Sequence, residues 1–435
     1  MGNGIIIAAP RTGSGKTLVT LGLVAALSAR GLAVAPAKTG PDYIDAAILT
    51  RTAGRAAINL DPWAMRPARL MALAESAMAG ADLLLVEGVM GLFDGAADGT
   101  GSTGNLAATL GLPVVLVVDA ERQGQSLAAL VAGFAGWRQG VRVAGVILNR
   151  VSTTRHERLL TAALVETGIP VLGALPKRDG LLLPERHLGL VLPGEVAGFD
   201  TVVAAASAAV GEYIDLDAFL ALASSGASAA GRPALPQCTT ALPPLGQRIA
   251  IAHDDAFAFL YEHWLQDWRA AGATLSMFSP LADESPAADA DAVFLPGGYP
   301  ELHGARLAAS LDFKAGLVAA AQRGALLYGE CGGFMVLGRT LTDKDGMTHE
   351  MTGLLPVETS IGNPKRTLGY RRLAHASPLP WPLRLTGHEF HYSSGRVTGV
   401  PPLFAATDAR GEALPPLGAQ VGKVVGSYAH VIDVA

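Results

Sequence analysis

Cysteine is scarce in this chain of 435 residues, which contains only Cys238 and Cys331. Two cysteines cannot build the disulfide framework of a small secreted domain, so we expect a reducing, cytoplasmic environment. The sequence also lacks an apolar run long enough to span a membrane, and its N-terminus lacks a basic segment followed by a long apolar stretch. We therefore expect no membrane partner.

Charge is also sparse, because charged residues make up only 16% of the chain. Lys and Arg number 33 against 38 Asp and Glu, which gives a net charge of −5. Without a basic excess there is no reason to expect nucleic acid as a partner. In contrast, half of the residues are hydrophobic. A chain of this length and composition can bury sizeable cores and suggests two domains.

The most informative stretch is a glycine-rich turn that follows the apolar run 5–7. Apolar residues at 18, 21, 24 and 27 then predict a helix that runs to about residue 31. This order of strand, turn and helix is the context that a phosphate-binding loop requires, although Pro10 replaces the first glycine of the strict pattern. The alternative is an ordinary strand-to-helix turn. The residues that we assign to a nucleotide are Gly13, Ser14, Gly15, Lys16 and Thr17.

Acidic residues that follow two apolar strands are the expected partners of this loop. Asp42 comes shortly after the strand predicted at 32–38, and Glu87 ends the strand predicted at 83–86. A phosphate-binding loop needs acidic Mg²⁺ partners nearby, so we predict that Thr17, Asp42 and Glu87 hold the metal. A helix cap is the alternative interpretation of Asp42.

Further strands at 114–118, 143–148 and 171–175 alternate with helical stretches and predict a doubly wound parallel α/β sheet. Asn149, just past one of these strands, could contact an adenine edge or could be a turn residue, and the sequence leaves both open. His187 lies in a polar segment that could meet an anionic substrate or form a solvated turn.

The composition changes over residues 225–247, where Ser, Gly and Pro predict a linker that includes Cys238. The linker separates a domain at 1–224 from a second α/β domain at 248–435. In the second domain we predict strands at 248–252, 292–295 and 325–328. We also predict a helix over 257–271, with Asp254 or Asp255 as its cap.

Cys331 lies in the sequence Gly329-Glu330-Cys331-Gly332-Gly333, directly after an apolar strand. Small flanking residues favour a nucleophile elbow, a sharp strand-to-helix turn that presents the side chain. The helix behind it is expected to lower the thiol pKa, and the N–H groups near Gly298 and Gly332 could form an oxyanion hole. A buried structural cysteine is the alternative. His388, His391 and His430 are the candidate bases, and His430 suits a residue presented at a strand end.

These motifs resemble a known family. Residues 329–333, the upstream segment Pro-Gly-Gly-Tyr-Pro-Glu and a C-terminal Tyr-x-His resemble the class I glutamine amidotransferase domains of cobalamin biosynthesis. The N-terminal half resembles dethiobiotin synthetase-like ATPases. The combination, together with the segments 39–45, 87–95 and 186–190, is similar to the family of cobyrinic and hydrogenobyrinic acid a,c-diamide synthases.

The resemblance implies that Cys331 takes ammonia from L-glutamine with His430 as the general base. It also implies that ATP and Mg²⁺ activate acetate groups of a corrinoid acid as acyl phosphates. The tentative substrate residues under this resemblance are Tyr43, Asp45, Asp94 and His187. A homodimer stays open as the oligomeric state.

Two departures accompany the resemblance. Ile432 stands where ordinary class I amidotransferases carry a glutamate two residues after the histidine. Arg11 falls where chromosome-partitioning ATPases carry a lysine. The competing hypotheses are a cobyric acid synthase that amidates other side chains of the ring, and a partitioning-type ATPase with a degenerate second domain.

Overall fold

The computed structural model describes residues 3–177, 185–186, 189–196, 198–225 and 241–435. The chain divides into two compact units, Met1–Thr239 and Thr240–Ala435. Most of the predicted linker, including Cys238, lies outside the described residues, as does His187. Within the described ranges no helix is both long and apolar enough to cross a bilayer.

A parallel sheet forms the centre of the first unit. Its strands are β1 (Gly4–Ala8), β2 (Val34–Thr39), β3 (Ile58–Leu60), β4 (Leu83–Glu87), β5 (Val114–Asp119), β6 (Val143–Val151) and β7 (Val171–Pro176). Their order is β3-β2-β4-β1-β5-β6-β7, and every neighbouring pair is parallel. The central strands are continuous apolar runs because both of their faces are buried.

Helices connect and cover these strands. They are α1 (Lys16–Ala29), α2 (Tyr43–Ala53), α3 (Pro67–Ala77), α4 (Thr103–Leu110), α5 (Leu127–Gly136), α6 (Thr154–Leu164), α7 (Phe199–Tyr213) and α8 (Leu216–Ser224). Strand β8 (Glu185–Arg186) pairs with β9 (Gly189–Leu190) in the antiparallel direction. The doubly wound α/β architecture that the sequence predicts is confirmed, but Asn149 lies inside β6 rather than beyond its end.

The strand order explains where a ligand would bind in the first unit. Strand β1 lies between β4 and β5, and its connection through α1 leads to β2 on the far side of β4. Ligands of open α/β sheets bind beyond the carboxyl ends of the strands near such a reversal of order. The loops that follow β1, β2 and β4 therefore meet at one edge of the sheet.

The second unit is also built on a largely parallel sheet, in the order β11-β10-β12-β13-β23-β22. Only the β22–β23 pair in this sheet is antiparallel. Its strands are β10 (Arg248–Ala252), β11 (Thr274–Phe278), β12 (Ala292–Leu295), β13 (Leu326–Glu330), β22 (Ala419–Val421) and β23 (Val424–Ser427). The helices of this unit are α9 (Glu262–Ala270), α10 (Gly304–Ala309), α11 (Leu311–Gln322) and α12 (Gly332–Leu337).

Two further sheets complete the second unit. One is antiparallel, in the order β21-β20-β17-β18-β24, and consists of β17 (Thr367–Ala374), β18 (Arg384–His391), β20 (Phe404–Thr407), β21 (Ala413–Leu417) and β24 (His430–Val434). The other has the order β15-β14-β16-β19 and consists of β14 (Thr340–Thr342), β15 (Thr348–Glu350), β16 (Val357–Ser360) and β19 (Ser394–Val397). In the antiparallel sheet His388 is directly opposite His430.

The helix predicted over 257–271 begins later than expected, because α9 starts at Glu262. Asp254 does not cap it. The Asp254 carboxylate instead accepts hydrogen bonds from the N–H groups of Ala256, at 2.9 Å, and Leu281, at 2.8 Å. Phe257 and Phe259 are held in isolated β-bridges, which keep residues 257–259 out of the helix.

Candidate active sites

The glycine-rich loop after β1 has the backbone conformation that its glycines permit. Gly13 and Gly15 have φ values of 79° and 89°, in the left-handed region that favours glycine. A Cβ atom on Gly15 would lie 2.2 Å from Nδ2 of Asn149. That Nδ2 donates a hydrogen bond to the Ser14 carbonyl at 2.9 Å, and Oδ1 of the same side chain accepts one from the Arg150 N–H. Asn149 therefore braces the loop from within β6 and is not a turn residue, while its contact with an adenine edge stays a prediction.

Lys16 and Thr17, at the start of α1, both reach toward the segment that follows β4. The Lys16 ammonium donates a hydrogen bond to the Met90 carbonyl at 2.9 Å. Burial lowers the pKa of Lys16, and the nearby charge of Lys38 adds to that effect. The Thr17 hydroxyl donates to Oε1 of Glu87 at 2.6 Å. The structure thus brings the loop and the predicted strand-end glutamate into direct contact.

Glu87 is fully buried at the end of β4. Its Oε1 also lies 3.2 Å from the Lys38 ammonium, whereas its Oε2 is buried and has no hydrogen-bond partner in the described part of the chain. Burial raises the pKa of Glu87, while Lys38 opposes the shift. A buried carboxylate oxygen that accepts no hydrogen bond is suited to a cation.

Asp42 caps α2, since its Oδ1 accepts a hydrogen bond from the Asp45 N–H at 3.0 Å. Burial and the neighbouring Asp45 raise the pKa of Asp42 to about 7. Asp45 itself forms a buried ion pair with Lys38. Tyr43, which shares the first turn of α2 with Asp45, is also buried. Of the two predicted substrate residues of this turn, Asp45 thus belongs to the acidic group that it forms with Asp42 and Glu87, and Tyr43 lies in the same helical turn.

Sequence reasoning missed Lys38, which is the last but one residue of β2. Burial opposes the charged form of Lys38, but the carboxylates of Asp45 and Glu87 outweigh it and raise the pKa of this lysine. Its ammonium therefore stays charged and offsets the repulsion among the three acidic side chains. A lysine just before the Thr-Gly-Pro-Asp turn, at a strand end facing the loop, was the available signal.

Asp94 stabilises the segment that follows β4 by a hydrogen bond inside that segment. Its Oδ2 accepts a hydrogen bond from the Gly91 N–H at 2.9 Å. A Cβ on Gly91 would lie 2.6 Å from the carbonyl oxygen of Pro10. This segment therefore packs directly against the glycine-rich loop, and the Asp94 side chain holds its turn.

The donor set around Thr17 fits Mg²⁺ only in the presence of a nucleotide. No three His, Cys, Asp or Glu side chains of the described ranges form a cluster that could hold a metal ion alone. Mg²⁺ usually takes one or two protein ligands and completes its shell with phosphate oxygens and water. The Thr17 hydroxyl and the Glu87 carboxylate suit that arrangement.

In the second unit, Cys331 occupies a strained turn between β13 and α12. Its φ is 47° and its ψ is −105°, which is unusual for a residue with a side chain. The Cys331 N–H donates to the Ser427 carbonyl at 2.8 Å. Glycine is required at position 333, two residues after Cys331, because a Cβ there would lie 1.9 Å from the Leu295 carbonyl oxygen. This is the sharp turn that the sequence predicts.

The expected lowering of the Cys331 pKa is wrong. Burial raises the pKa of the thiol, and the carboxylates of Glu301, Glu330 and Glu389 add to the shift. A hydrogen bond with the Gly332 N–H acts in the opposite direction but is outweighed. The helix that follows has only six residues, so its dipole is small against the cost of burying a thiolate. Cys331 is therefore a thiol that needs a base.

The glycines assigned to the oxyanion hole lie together beside this thiol. A Cβ on Gly332 would lie 3.2 Å from the Gly298 nitrogen. A Cβ on Gly298 would lie 2.1 Å from the Ala256 carbonyl oxygen, so only glycine fits there. The Gly333 N–H is committed to the Pro296 carbonyl. The N–H groups of Gly298 and Gly332 stay the predicted donors of the oxyanion hole.

His430 is the candidate base that the structure brings to the cysteine. A Cβ on Gly297 would lie 2.4 Å from Cε1 of His430 and 3.3 Å from Cβ of Cys331, so both side chains border the same small space. Nδ1 of His430 lies 3.7 Å from Oε2 of Glu330, and both side chains are only 1% exposed. Glu330 was not among the sequence candidates.

The rival histidines have different surroundings. The His388 ring lies behind that of His430, with ring centroids 4.9 Å apart, and burial lowers the pKa of His388 well below its usual value. His391 stacks on Tyr428 at 4.1 Å and is paired with Glu389. His388 therefore packs against the candidate base, whereas His391 belongs to a neighbouring polar group.

Comparison with known proteins identifies both units. Residues 5–191 match the model of the CobQ/CobB/MinD/ParA nucleotide binding domain, and residues 248–433 match that of the CobB/CobQ-like glutamine amidotransferase domain. A Brucella suis biovar 1 protein named hydrogenobyrinate a,c-diamide synthase is 53% identical over 99% of this chain and 98% of its own length. Proteins of the same name from a Sinorhizobium species and Rhodobacter capsulatus are 51% and 49% identical, over 100% and 99% of this chain and 99% and 98% of their own lengths.

Proposed function

The chain belongs to the hydrogenobyrinate a,c-diamide synthase family, and we propose that it converts two acetate carboxylates of hydrogenobyrinic acid into amides with ATP and glutamine. The observation that carries the proposal is the presence of two different sites on one chain. One has a phosphate-type loop in contact with Glu87, and the other has a strained cysteine beside a buried histidine. We choose the metal-free ring, hydrogenobyrinic acid, as the substrate because relatives at 49–53% identity are named hydrogenobyrinate a,c-diamide synthase.

The proposed role of the second unit is to release ammonia from glutamine. His430 takes the proton of the Cys331 thiol, and the sulfur attacks the side-chain amide carbon. The N–H groups of Gly298 and Gly332 then stabilise the negative oxygen of the tetrahedral intermediate. The carbon–nitrogen bond breaks as His430 returns the proton to the leaving nitrogen. Water finally hydrolyses the thioester to glutamate and restores the thiol.

The proposed role of the first unit is to turn a carboxylate into a better electrophile. A carboxylate oxygen of the corrinoid attacks the terminal phosphorus of ATP, which gives an acyl phosphate and ADP. Ammonia then attacks the acyl carbon, phosphate leaves, and an amide remains. The N–H groups of the loop and the charge of Lys16 stabilise the phosphoryl group during transfer. A second round at the other acetate completes the diamide.

We assign Mg²⁺ to Thr17, Asp42 and Glu87, of which Thr17 and Glu87 are in direct contact. The ion would neutralise charge on the phosphates and orient them for transfer. Lys38 holds Asp45 and Glu87 in place, since its ammonium contacts both, and it opposes the rise in the pKa of Glu87 that burial causes. Tyr43, Asp45 and Asp94 remain the proposed substrate-side residues of this unit.

The competing hypotheses gain no comparable support. A partitioning-type ATPase gives no role to the strained Cys331 turn or to the histidine beside it. A cobyric acid synthase would share both sites, but relatives that match this chain over nearly its whole length are named for the a,c-diamide reaction.

A substrate comparison with the purified full chain tests the proposal. Hydrogenobyrinic acid, its cobalt-containing counterpart, cobyrinic acid, and the a,c-diamide of each are incubated separately with ATP, Mg²⁺ and glutamine, and the products are identified by mass spectrometry. We expect two acid-to-amide conversions on the metal-free ring, and faster turnover than on the cobalt form. Amidation of a,c-diamides but not of the parent acid would instead support the cobyric acid synthase hypothesis.

A further inference from the structure

We infer that Glu330 is the positioning carboxylate of His430 and takes the place of the glutamate that ordinary class I amidotransferases carry where this chain has Ile432. The inference rests on the proposed function of Cys331 and His430 as nucleophile and base. It adds a residue that lies directly before the nucleophile on β13, not two residues after the histidine on β24.

The two oxygens of Glu330 have different surroundings. Oε1 accepts hydrogen bonds from the Tyr328 hydroxyl at 2.7 Å and from the Val431 N–H at 2.9 Å. Oε2 lies 3.7 Å from Nδ1 of His430. The first two contacts fix the carboxylate in place and leave its second oxygen directed at the imidazole. At 3.7 Å this contact is long, as catalytic hydrogen bonds often are before substrate binds.

This arrangement determines which ring nitrogen can act as the base. A carboxylate accepts hydrogen bonds and cannot donate them, so it favours the tautomer of His430 in which Nδ1 carries the proton. Nε2 is then left with its lone pair, which is the form needed to take a proton from Cys331. The negative charge also stabilises the imidazolium that forms in the transfer. The same division of labour operates in Ser-His-Asp sites.

Ile432 cannot supply this function from the family position. Its side chain is fully buried and apolar, and its carbonyl accepts a hydrogen bond from the Trp264 indole at 3.1 Å. The rings of His388 and Phe259 pack against His430, with ring centroids 4.9 Å and 6.3 Å away, and Cβ of Cys331 borders the same small space. The Glu330 carboxylate therefore supplies a negative charge at Nδ1 of this histidine.

Glu330→Gln tests the inference because it preserves shape and removes charge. The amide oxygen can still accept from Tyr328 and Val431, which turns the amide NH₂ toward Nδ1 of His430. That group is a donor, so it selects the wrong tautomer. We expect the ratio of glutamine-dependent to ammonia-dependent amidation to fall about 100-fold, within the range attributed to general-base catalysis. We also expect the acidic limb of the glutaminase pH profile to move to lower pH, because the imidazolium loses its counter-charge.

Two further variants distinguish a role of Glu330 in positioning His430 from a purely structural role. Glu330→Asp keeps the charge, and we expect partial activity with the acidic limb closer to its original pH. Tyr328→Phe removes one anchor of Oε1 and leaves the charge, so we expect a small loss and an unmoved acidic limb. If Glu330→Gln does not fold, Glu330→Asp decides the question. A wild-type glutamine rate in either Glu330 variant, or a loss of rate with an unmoved acidic limb in Glu330→Gln, overturns the inference.

A parallel Cys331→Ala variant keeps this test separate from the proposed function. If Cys331→Ala still uses glutamine, the assignment of the nucleophile itself fails, whatever the Glu330 variants do. If Cys331→Ala loses glutamine use and Glu330→Gln does not, only the positioning role fails.

Discussion

The Glu330 carboxylate accepts a hydrogen bond from the Val431 N–H at 2.9 Å, although the two residues belong to different sheets. Glu330 ends β13 in the largely parallel sheet, and Val431 follows the candidate base at the start of β24 in the antiparallel sheet. One buried contact thus joins the strand that leads into the nucleophile to the strand that carries the histidine. Removing such a partner from a buried N–H costs about 1–3 kcal/mol.

Replacing Cys331 by Ala or Ser should abolish the use of glutamine and leave amidation with free ammonia. The physical reason is that the thiol attacks glutamine, whereas ammonia enters the reaction only after that step. Product formation with each nitrogen source, measured by mass spectrometry, checks this. Loss of both activities in a variant with a wild-type thermal transition would show that the two reactions are not divided between the units.

His430→Ala should reduce glutamine-dependent turnover by about 10²–10⁴-fold, the usual contribution of a positioned base. Ammonia-dependent turnover should change far less. His391→Ala tests the rival base, because the His391 ring is paired with the Glu389 carboxylate. His349→Ala is the control, since that ring is bound to Asp343 at 2.8 Å. A wild-type glutamine rate in His430→Ala would move the base to one of the rivals.

Lys16→Ala and Glu87→Gln should each suppress amide formation from both nitrogen sources. Each removes a charge from the proposed phosphoryl-transfer site, and loss of one such contact costs about 100-fold or more. Glutamine hydrolysis should survive at least in part. Glu121→Gln is the matched control in the same unit, because Glu121 pairs with Lys177 at the surface.

A Mg²⁺ titration of ammonia-driven amidation examines the Glu87 assignment directly. Glu87→Gln should need more Mg²⁺ than the wild-type chain, because its unsatisfied buried oxygen no longer carries charge. A near-normal rate at ordinary Mg²⁺ would remove Glu87 from the metal site and leave Asp42 and Asp45 as the carriers.

Alkylation of Cys331 should depend on Glu301, whose negative charge helps to raise the thiol pKa. The thiolate is the reactive form, so a raised pKa makes alkylation slow at neutral pH and faster as pH rises. Glu301→Gln removes one negative charge, lowers the pKa and shifts the whole alkylation profile to lower pH. Iodoacetamide inactivation in a Cys238→Ser background measures this.

The control for the alkylation experiment is Glu350→Gln, because Glu350 is an exposed residue of the same unit. Its alkylation profile should match that of the parent chain. An unmoved profile in Glu301→Gln would mean that the charge of Glu301 does not contribute to the pKa of the thiol.

Much of the fold could be predicted because its signals are contiguous. The apolar run before Gly13 and the run before Glu87 are buried strands, and the small residues around Cys331 form the turn that they favour. Residues at the ends of parallel strands meet at one edge, so Thr17 and Glu87 could be paired without coordinates.

Other features depend on contacts between distant parts of the chain, which no local pattern encodes. In the sequence Glu330 is part of a glycine-rich motif, and its partner Val431 lies about a hundred positions away in a different sheet. Lys38 is a charged residue in a buried strand, but its role becomes visible only when its ion pairs with Asp45 and Glu87 are known. The pKa of the Cys331 thiol is raised by burial and by the surrounding carboxylates, neither of which the glycine-rich motif reveals.

The most direct measurement follows glutamine nitrogen into the corrinoid. The full chain is incubated with hydrogenobyrinic acid, ATP, Mg²⁺ and glutamine labelled with ¹⁵N in its side-chain amide, and product mass and released ADP are measured together. We predict two ¹⁵N atoms in each diamide, one ADP for each amide formed, and no labelled product from Cys331→Ala. Hydrolysis of ATP without transfer of labelled nitrogen to the ring would contradict the proposed function.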